Sequence, residues 1–276
     1  MNLFEWKYNS WLFAGVLLIC FAVSAGVRYQ QFETWKKAPT VYFVDERPLM
    51  TTLDAPFWLR LAREYNDVKF GGEALQRKKR DKAEQSKKTE SIPAEFLDHS
   101  PSSSGTSEIN YRDVPLLSFL IAHLSPYFNN NYYLTGTLLI PVLASLFILP
   151  LGIYFFLIGV PVSGMLGGLI GTFAGGYYMR SAIGRIDTDM LNLFFPVLAG
   201  LLILLAGKAK TERNVLLYSV GAGLSLFLFQ WWYGKAGFTL AYFMVLVFSL
   251  FVQRIRFRTI LVGAFLFVLC AQPATF

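Results

Sequence analysis

The sequence has 276 residues, 54% of them hydrophobic and 17% aromatic, with a mean hydropathy of +0.44, which excludes an ordinary soluble domain of this length. Its formal charge is +7, yet residues 29–131 hold 14 Lys or Arg against 14 Asp or Glu, so the excess, 11 basic against 4 acidic residues, falls in the apolar remainder. That distribution belongs to membrane topology and excludes a nucleic-acid footprint.

A hydrocarbon core needs roughly 20 mostly apolar residues per helix. Seven segments qualify in chain order: about 10–28, 133–157, 160–179, 190–207, 215–233, 236–252 and 259–275. The expected architecture is an all-α polytopic membrane protein of about seven transmembrane helices. Residues 1–28 supply the N-terminus and first span, 29–131 a long first extracytoplasmic loop, and 132–276 a six-helix bundle. Lys208, Lys210 and Arg213 crowd one short connection, and Arg254, Arg256 and Arg258 another, which marks that side as cytoplasmic. Strict alternation then places the N-terminus inside and both 29–131 and 180–190 outside. The outer connections do carry Arg180, Arg185 and Lys235, a small departure from the charge bias. Trp11–Ser24 resembles a signal-peptide core, but its apolar run is long for one, and retention as an anchor is expected.

Within 29–131, "RKKRDKAEQSKK" (77–88) and the following Ser-rich stretch lack the apolar content to pack and are expected to form a disordered, mobile surface insertion. Two short amphipathic helices flank it. The first begins at "TTLDAPFWLRLAREYND", with Asp54 as N-cap, Pro56 in the first turn, and Phe57, Trp58, Leu61 and Tyr65 as the apolar stripe. The second, "VPLLSFLIAHLSPYF" (114–128), is too short to span and is expected in the interface. His123 reads as an interfacial polar residue there. "GMLGGLIGTFAGG" (164–176) reads as a surface for close helix packing, and "WWYG" (231–234) as an aromatic belt.

Neither Cys20 nor Cys270, both in apolar stretches, indicates a disulfide framework. The chain has two His and no HExxH, CxxC, GxSxG or phosphate-loop motif. Chemistry must therefore rest mainly on carboxylates. "GRIDTDMLNLFFP" (184–196) sets Asp187 and Asp189 before an apolar run. A helix N-terminus favours acids as caps. The same pair can also ligate a hard cation such as Mg2+ or Mn2+, which prefers oxygen donors and suits phosphate. Side chains two apart point to nearly opposite helix faces, so a shared ion requires Asp187 in the non-helical approach.

"DTDML", the preceding "GGYYMRS" with Arg180 seven residues before Asp187, "TTLDAPFWLRLAREY" after the first span, and "FLFQWWYG" together resemble the N-terminal half of the oligosaccharyltransferase catalytic subunit family. These are C-type glycosyltransferases of N-linked protein glycosylation. The resemblance implies a metal-dependent, inverting transfer of a glycan from a polyprenyl-diphosphate-linked oligosaccharide to asparagine in an Asn-x-Ser/Thr acceptor polypeptide. It implies Asp54, Asp187 and Asp189 as metal residues for Mn2+ or Mg2+, Asp54 also touching the acceptor amide, and Arg180 steadying the acidic site. Asp189 is either ligand or orienting carboxylate. Arg185 is a candidate phosphate contact, or equally an exposed partner of the acidic pair.

The implied setting is an integral membrane enzyme with its active site on the extracytoplasmic face of the bilayer. The family's third metal-site acid and its WWD-type acceptor motif do not occur before Phe276, so the expectation is a fragment of a longer enzyme, or else a short relative that needs a partner or has lost activity. A transporter or flippase for a lipid-linked substrate is the competing class. The last six spans hold no Asp, Glu, Lys, Arg or His, whereas coupled transporters keep such groups inside the bundle. A non-catalytic membrane assembly component is the third.

Overall fold

A computed structural model describes residues 10–70, 114–234 and 237–272. The basic run 77–88 and the Ser-rich stretch after it lie outside the described residues. The chain divides into two compact units, Pro56–Thr135 and the remainder.

In the larger unit, α1 (Ser10–Lys36) runs well beyond the expected end at residue 28. Its buried positions are Phe13, Leu17, Cys20, Ser24, Arg28, Phe32 and Trp35. Steps of three and four keep one face inward, so the helix continues for as long as that stripe has something to cover. The chain then forms α2 (Pro39–Tyr42) and a two-residue antiparallel pair, β1 (Phe43–Val44) and β2 (Arg47–Pro48). Trp35 stacks on Tyr42, with ring centroids 4.9 Å apart, which folds this hairpin back against the end of α1.

The smaller unit contains most of α3 (Ala55–Phe70), together with α4 (Leu116–Leu124) and the 3-10 turn Ser125–Phe128. The inward face of α3 is Leu59, Ala62, Tyr65 and Asn66, while Trp58 and Leu61 are half-buried and Phe57 is exposed. This corrects the predicted stripe by about one position, because the small Ala62 and the polar Asn66 pack inward. Asn66 is buried among hydrogen-bonding partners: its Nδ2, with two protons to donate, lies 2.9 Å from Ala122 O and 3.1 Å from both Ser125 Oγ and Tyr132 Oη. His123 packs against Phe119 and Tyr65, with centroids 4.0 and 5.6 Å away.

The rest of the larger unit is helical. α5 (Tyr132–Ser145) and α6 (Ile148–Leu157) occupy the segment predicted as one span. The break falls at Leu146–Phe147, where the Pro150 ring would meet the carbonyl of Leu146 in a continuous helix. α7 (Pro161–Phe173) and α8 (Gly175–Arg180) divide the next segment at Ala174, whose ψ of 126° is extended. Then come α9 (Phe194–Lys208), α10 (Glu212–Tyr233), α11 (Gly237–Val252) and α12 (Phe257–Ala271). By length and composition, four stretches among the described residues are apolar and long enough to cross a membrane: Ser10–Lys36, Tyr132–Leu157, Thr188–Lys208 and Glu212–Tyr233. Pro161–Phe173, Gly237–Val252 and Phe257–Ala271 are apolar but shorter.

Among the described residues, two apolar cores hold these helices. One joins Phe13, Leu17 and Cys20 of α1 to Phe147, Ile148 and Met165. The other gathers Ala199, Ile203, Val215, Ala222, Leu226, Leu246, Ile260 and Phe267 from α9 to α12. Close approach is set by missing side chains: a Cβ on Gly164 would lie 2.6 Å from Phe155 Cβ, and one on Gly223 would lie 2.5 Å from Phe267 O. Outside these cores Ile19, Ile170, Phe248, Phe251 and Phe265 stand exposed, an apolar exterior that suits hydrocarbon rather than water. The architecture is that of an all-α membrane protein.

Short connections fall into two sets. Arg256 Nη1 donates to Glu212 Oε1 at 2.9 Å, and Lys208 Nζ donates to Leu157 O, so the connections after α6, α9 and α11 share one end. At the other end Trp232 Nε1 donates to Thr188 O, which puts the end of α10 beside the connection carrying both aspartates.

Candidate functional site

The connection from Ser181 to Leu193 owes its shape to proline and glycine. Pro196 lacks an amide hydrogen and its ring would clash with the Asn192 carbonyl in an unbroken helix, so the apolar run starts as a separate 3-10 turn, Thr188–Leu191, before α9 begins at Phe194. Asp187 caps that turn with extended backbone, φ −152° and ψ 165°. Its Oδ1 accepts from Thr188 N at 2.6 Å. The non-helical geometry that a shared ion requires is therefore present at Asp187.

Gly184 pins this connection to the segment after β2. Its φ is +80°, and a Cβ there would lie 2.5 Å from Trp35 Cη2 and 2.7 Å from Leu49 O, so a side chain is excluded both by conformation and by space. Thr51 N donates to Gly184 O at 2.9 Å, and Ile183 N donates to Gln31 Oε1 at 3.2 Å. Asp54 follows Thr51 by three residues and Asp187 follows Gly184 by three, so one backbone hydrogen bond ties the two acidic stretches together.

The carboxyl of Asp187 is held above its ordinary range, chiefly because burial disfavours its charge; Asp189 and Asp54 add repulsion, while the Thr188 amide and Arg185 pull the other way. Asp54 is thus an electrostatic neighbour of Asp187, although 133 positions separate them. Asp54 is exposed. It immediately precedes α3, yet its carboxylate caps no helix amide among the described residues; its own N–H donates to Thr52 Oγ1 at 3.4 Å. Freedom from capping leaves that carboxylate available.

Asp189 faces other partners. Arg180 Nη1 lies 3.6 Å from its Oδ2, and Asn192 Nδ2 donates to its Oδ1 at 3.2 Å. Arg185 is half-buried, and its Nε is buried without a hydrogen-bond partner among the described residues, a donor with capacity for an anion beside the acidic stretch. No group of three or more His, Cys, Asp or Glu side chains is arranged to hold a metal among the described residues. Of the three predicted metal residues, Asp54 and Asp189 both act electrostatically on Asp187, and Asp189 is itself engaged by Arg180 and Asn192. A half-buried carboxyl crowded by two others is a place where a cation relieves repulsion.

Three residues that position this site escape sequence reasoning. Trp232 was expected in an aromatic belt, but it is 2% exposed and donates to Thr188 O. Tyr177 Oη lies 2.9 Å from Met190 O and 2.8 Å from Ala144 O. Arg28 is fully buried; its Nε donates to Ser181 O at 3.2 Å and its Nη2 to Ser181 Oγ at 2.9 Å. Arg28 alone left a signal, since it falls on the stripe of α1 between Ser24 and Phe32.

A family model described as "Oligosaccharyl transferase STT3, N-terminal" matches residues 115–272. Comparison with curated proteins gives no match. The matched range runs from α4 to the end of α12 and contains Arg180, Arg185, Asp187, Asp189 and Trp232; Asp54 precedes it. Because more than half of the residues are matched, the chain belongs to the oligosaccharyl transferase STT3 N-terminal family.

Proposed function

We propose that the chain provides the metal and lipid-diphosphate part of an oligosaccharyltransferase, which moves a glycan from a polyprenyl diphosphate to the carboxamide nitrogen of asparagine in an Asn-x-Ser/Thr acceptor. The observation that supports this reading best is the Thr51–Gly184 hydrogen bond, which ties the stretch leading to Asp54 to the stretch leading to Asp187. Family membership supports the reaction class. In this reading the end carrying Asp187 and Trp232 faces the extracytoplasmic side, and the Arg- and Lys-bearing connections face the cytoplasm.

Asp54 and Asp187 would hold Mn2+ or Mg2+. When bound, such a cation offsets the negative charge that gathers on the diphosphate as the bond from the sugar's anomeric carbon to oxygen breaks. Asp187 is already fixed by its Thr188 bond and its extended backbone, so little ordering remains to be done on binding. Asp54, exposed and uncapped, also accepts from the N–H groups of the acceptor carboxamide. That nitrogen forms the new bond to the anomeric carbon from the face opposite the leaving diphosphate, as the bond from that carbon to the diphosphate oxygen breaks, and gives up one proton to the Asp54 carboxylate that accepts its N–H. Arg185, half-buried beside the acidic stretch, lends its guanidinium to a phosphate oxygen. Arg180 and Asn192 hold Asp189 in place beside the pair, where it keeps the local potential negative.

The test uses detergent-solubilised full chain, with its partner subunits or continuation where these exist, a polyprenyl-diphosphate glycan and a labelled Asn-x-Thr peptide. Glycopeptide should form with Mn2+ or Mg2+, cease on chelation, and fall on the order of a hundredfold or more in Asp54→Ala. Glycopeptide formed at the wild-type rate by Asp54→Ala, or in the presence of excess chelator, contradicts the assignment.

A further inference from the structure

We infer that Trp232 is a positioning residue for the acidic turn: its indole N–H, fixed on α10, sets the plane of the Thr188–Asp189 peptide, and so the direction in which the flanking carboxylates point. The inference rests on reading Asp54 and Asp187 as a metal site. Thr188 lies between the two aspartates, and its carbonyl is the acceptor for Trp232 Nε1. A 3-10 turn of four residues, Thr188–Leu191, makes few internal hydrogen bonds. Its orientation must come from elsewhere.

The indole is suited to that task. It has one donor and no acceptor, it is buried at 2% exposure, and it comes from a helix that is itself fixed. α10 buries Leu226 and Phe229, and Ser225 Oγ donates to Phe195 O of α9 at 2.9 Å. The acidic turn is therefore gripped from the side of α10. Tyr177 grips it from the side of α8, through Met190 O. The Tyr177 hydroxyl carries a single proton, and Ala144 O lies at 2.8 Å against 2.9 Å for Met190 O, so its hold on Met190 is shared and weaker than that of Trp232 on Thr188. Outer partners of this kind typically change metal affinity by about 10- to 100-fold when removed.

Trp232→Phe keeps an aromatic ring and removes the N–H. Ser225→Ala is the control, because it removes one buried side-chain-to-carbonyl bond from the same helix without touching the turn. Two measurements are made on the detergent-solubilised full chain: amide hydrogen exchange in peptides covering residues 186–193, and the Mn2+ dissociation constant from free-ion paramagnetic resonance. Trp232→Phe should speed exchange in the turn and raise the Mn2+ dissociation constant about tenfold, whereas Ser225→Ala should do neither at a comparable loss of thermal stability. Tyr177→Phe, which removes only a hydroxyl, should show both effects to a smaller degree and serves if Trp232→Phe does not fold.

Unchanged exchange in Trp232→Phe, or equal loss of Mn2+ affinity in Ser225→Ala, overturns the inference. Binding that Asp187→Asn abolishes and Trp232→Phe leaves intact also overturns it, while sparing the metal reading. A wild-type chain that binds no Mn2+ overturns the metal reading itself, and the positioning role with it.

Discussion

Replacing Arg28 with alanine should cost about 3 kcal/mol or more of stability, read as a large drop in unfolding temperature of the detergent-solubilised protein. The guanidinium is fully buried in α1, and six neutral oxygens surround it. Besides Ser181 O and Oγ, Nη1 shares its two protons among Thr172 Oγ1 at 2.8 Å, Ser24 Oγ at 3.0 Å and Ser24 O at 3.3 Å, and Nη2 donates to Thr172 O at 3.0 Å. Its Cζ also lies 5.2 Å from the Tyr178 ring centroid and 5.8 Å from that of Tyr177. One side chain thereby binds α1, the C-terminal end of α7 and the end of α8 leading into the acidic connection. Alanine would orphan the Thr172 and Ser181 carbonyls at helix ends, where no amide replaces the donor. Arg28→Lys keeps the charge but not the planar fork, and should recover less than half of the loss. An Arg28→Lys protein as stable as wild type would contradict this account of the clamp.

Asp187→Asn should behave in the opposite way, raising the stability of the metal-free protein at neutral pH while lowering glycopeptide formation on the order of a hundredfold or more. Burial first, then Asp189 and Asp54, disfavour the charged form of Asp187. A carboxyl whose value is raised by folding costs nothing below the ordinary carboxylate range, because it is protonated in both states. Its penalty grows as pH rises through the raised value and persists above it. Asparagine removes the charge and can still accept from the Thr188 amide. The stability gain should therefore be present at neutral pH and vanish in acid. Mn2+ should raise the unfolding temperature of wild type and not that of the variant. A metal-free variant less stable than wild type at neutral pH would show that the carboxylate is not under electrostatic stress.

Much of the helical architecture was legible, because apolar runs dictate helices wherever hydrocarbon must be faced and backbone groups must be satisfied internally. Each of the seven predicted segments contains a helix. Boundaries were less legible. Hydropathy falls at Arg28, yet α1 continues to Lys36 because Phe32 and Trp35 extend the buried stripe begun at Phe13. The breaks at Leu146–Phe147 and before Phe194 were written in Pro150 and Pro196, whose effect reaches back four residues. In α3, a stripe chosen by hydrophobicity admitted the exposed Phe57 and left out Ala62 and Asn66, since packing selects size and hydrogen-bonding capacity as well as apolarity.

The acidic turn shows the same division. "DTDML" identified a cap, and the extended Asp187 is one. The neighbourhood of Asp54 and Asp187 depends on a positive-φ glycine wedged against Trp35 and Leu49, a long-range fit with no local signature. Trp232 was equally hidden. A tryptophan near a span end has the same composition whether it faces the bilayer surface or donates inward to a carbonyl, and only the helix's rotation decides.

Mn2+ dissociation constants for wild type, Asp54→Asn, Asp187→Asn and the double variant test most directly whether two connections hold one cation. Each single change should weaken binding about tenfold or more, and the double variant should lose less than the two losses combined, because either change dismantles the same site. Wild-type Mn2+ affinity in Asp54→Asn would contradict the account.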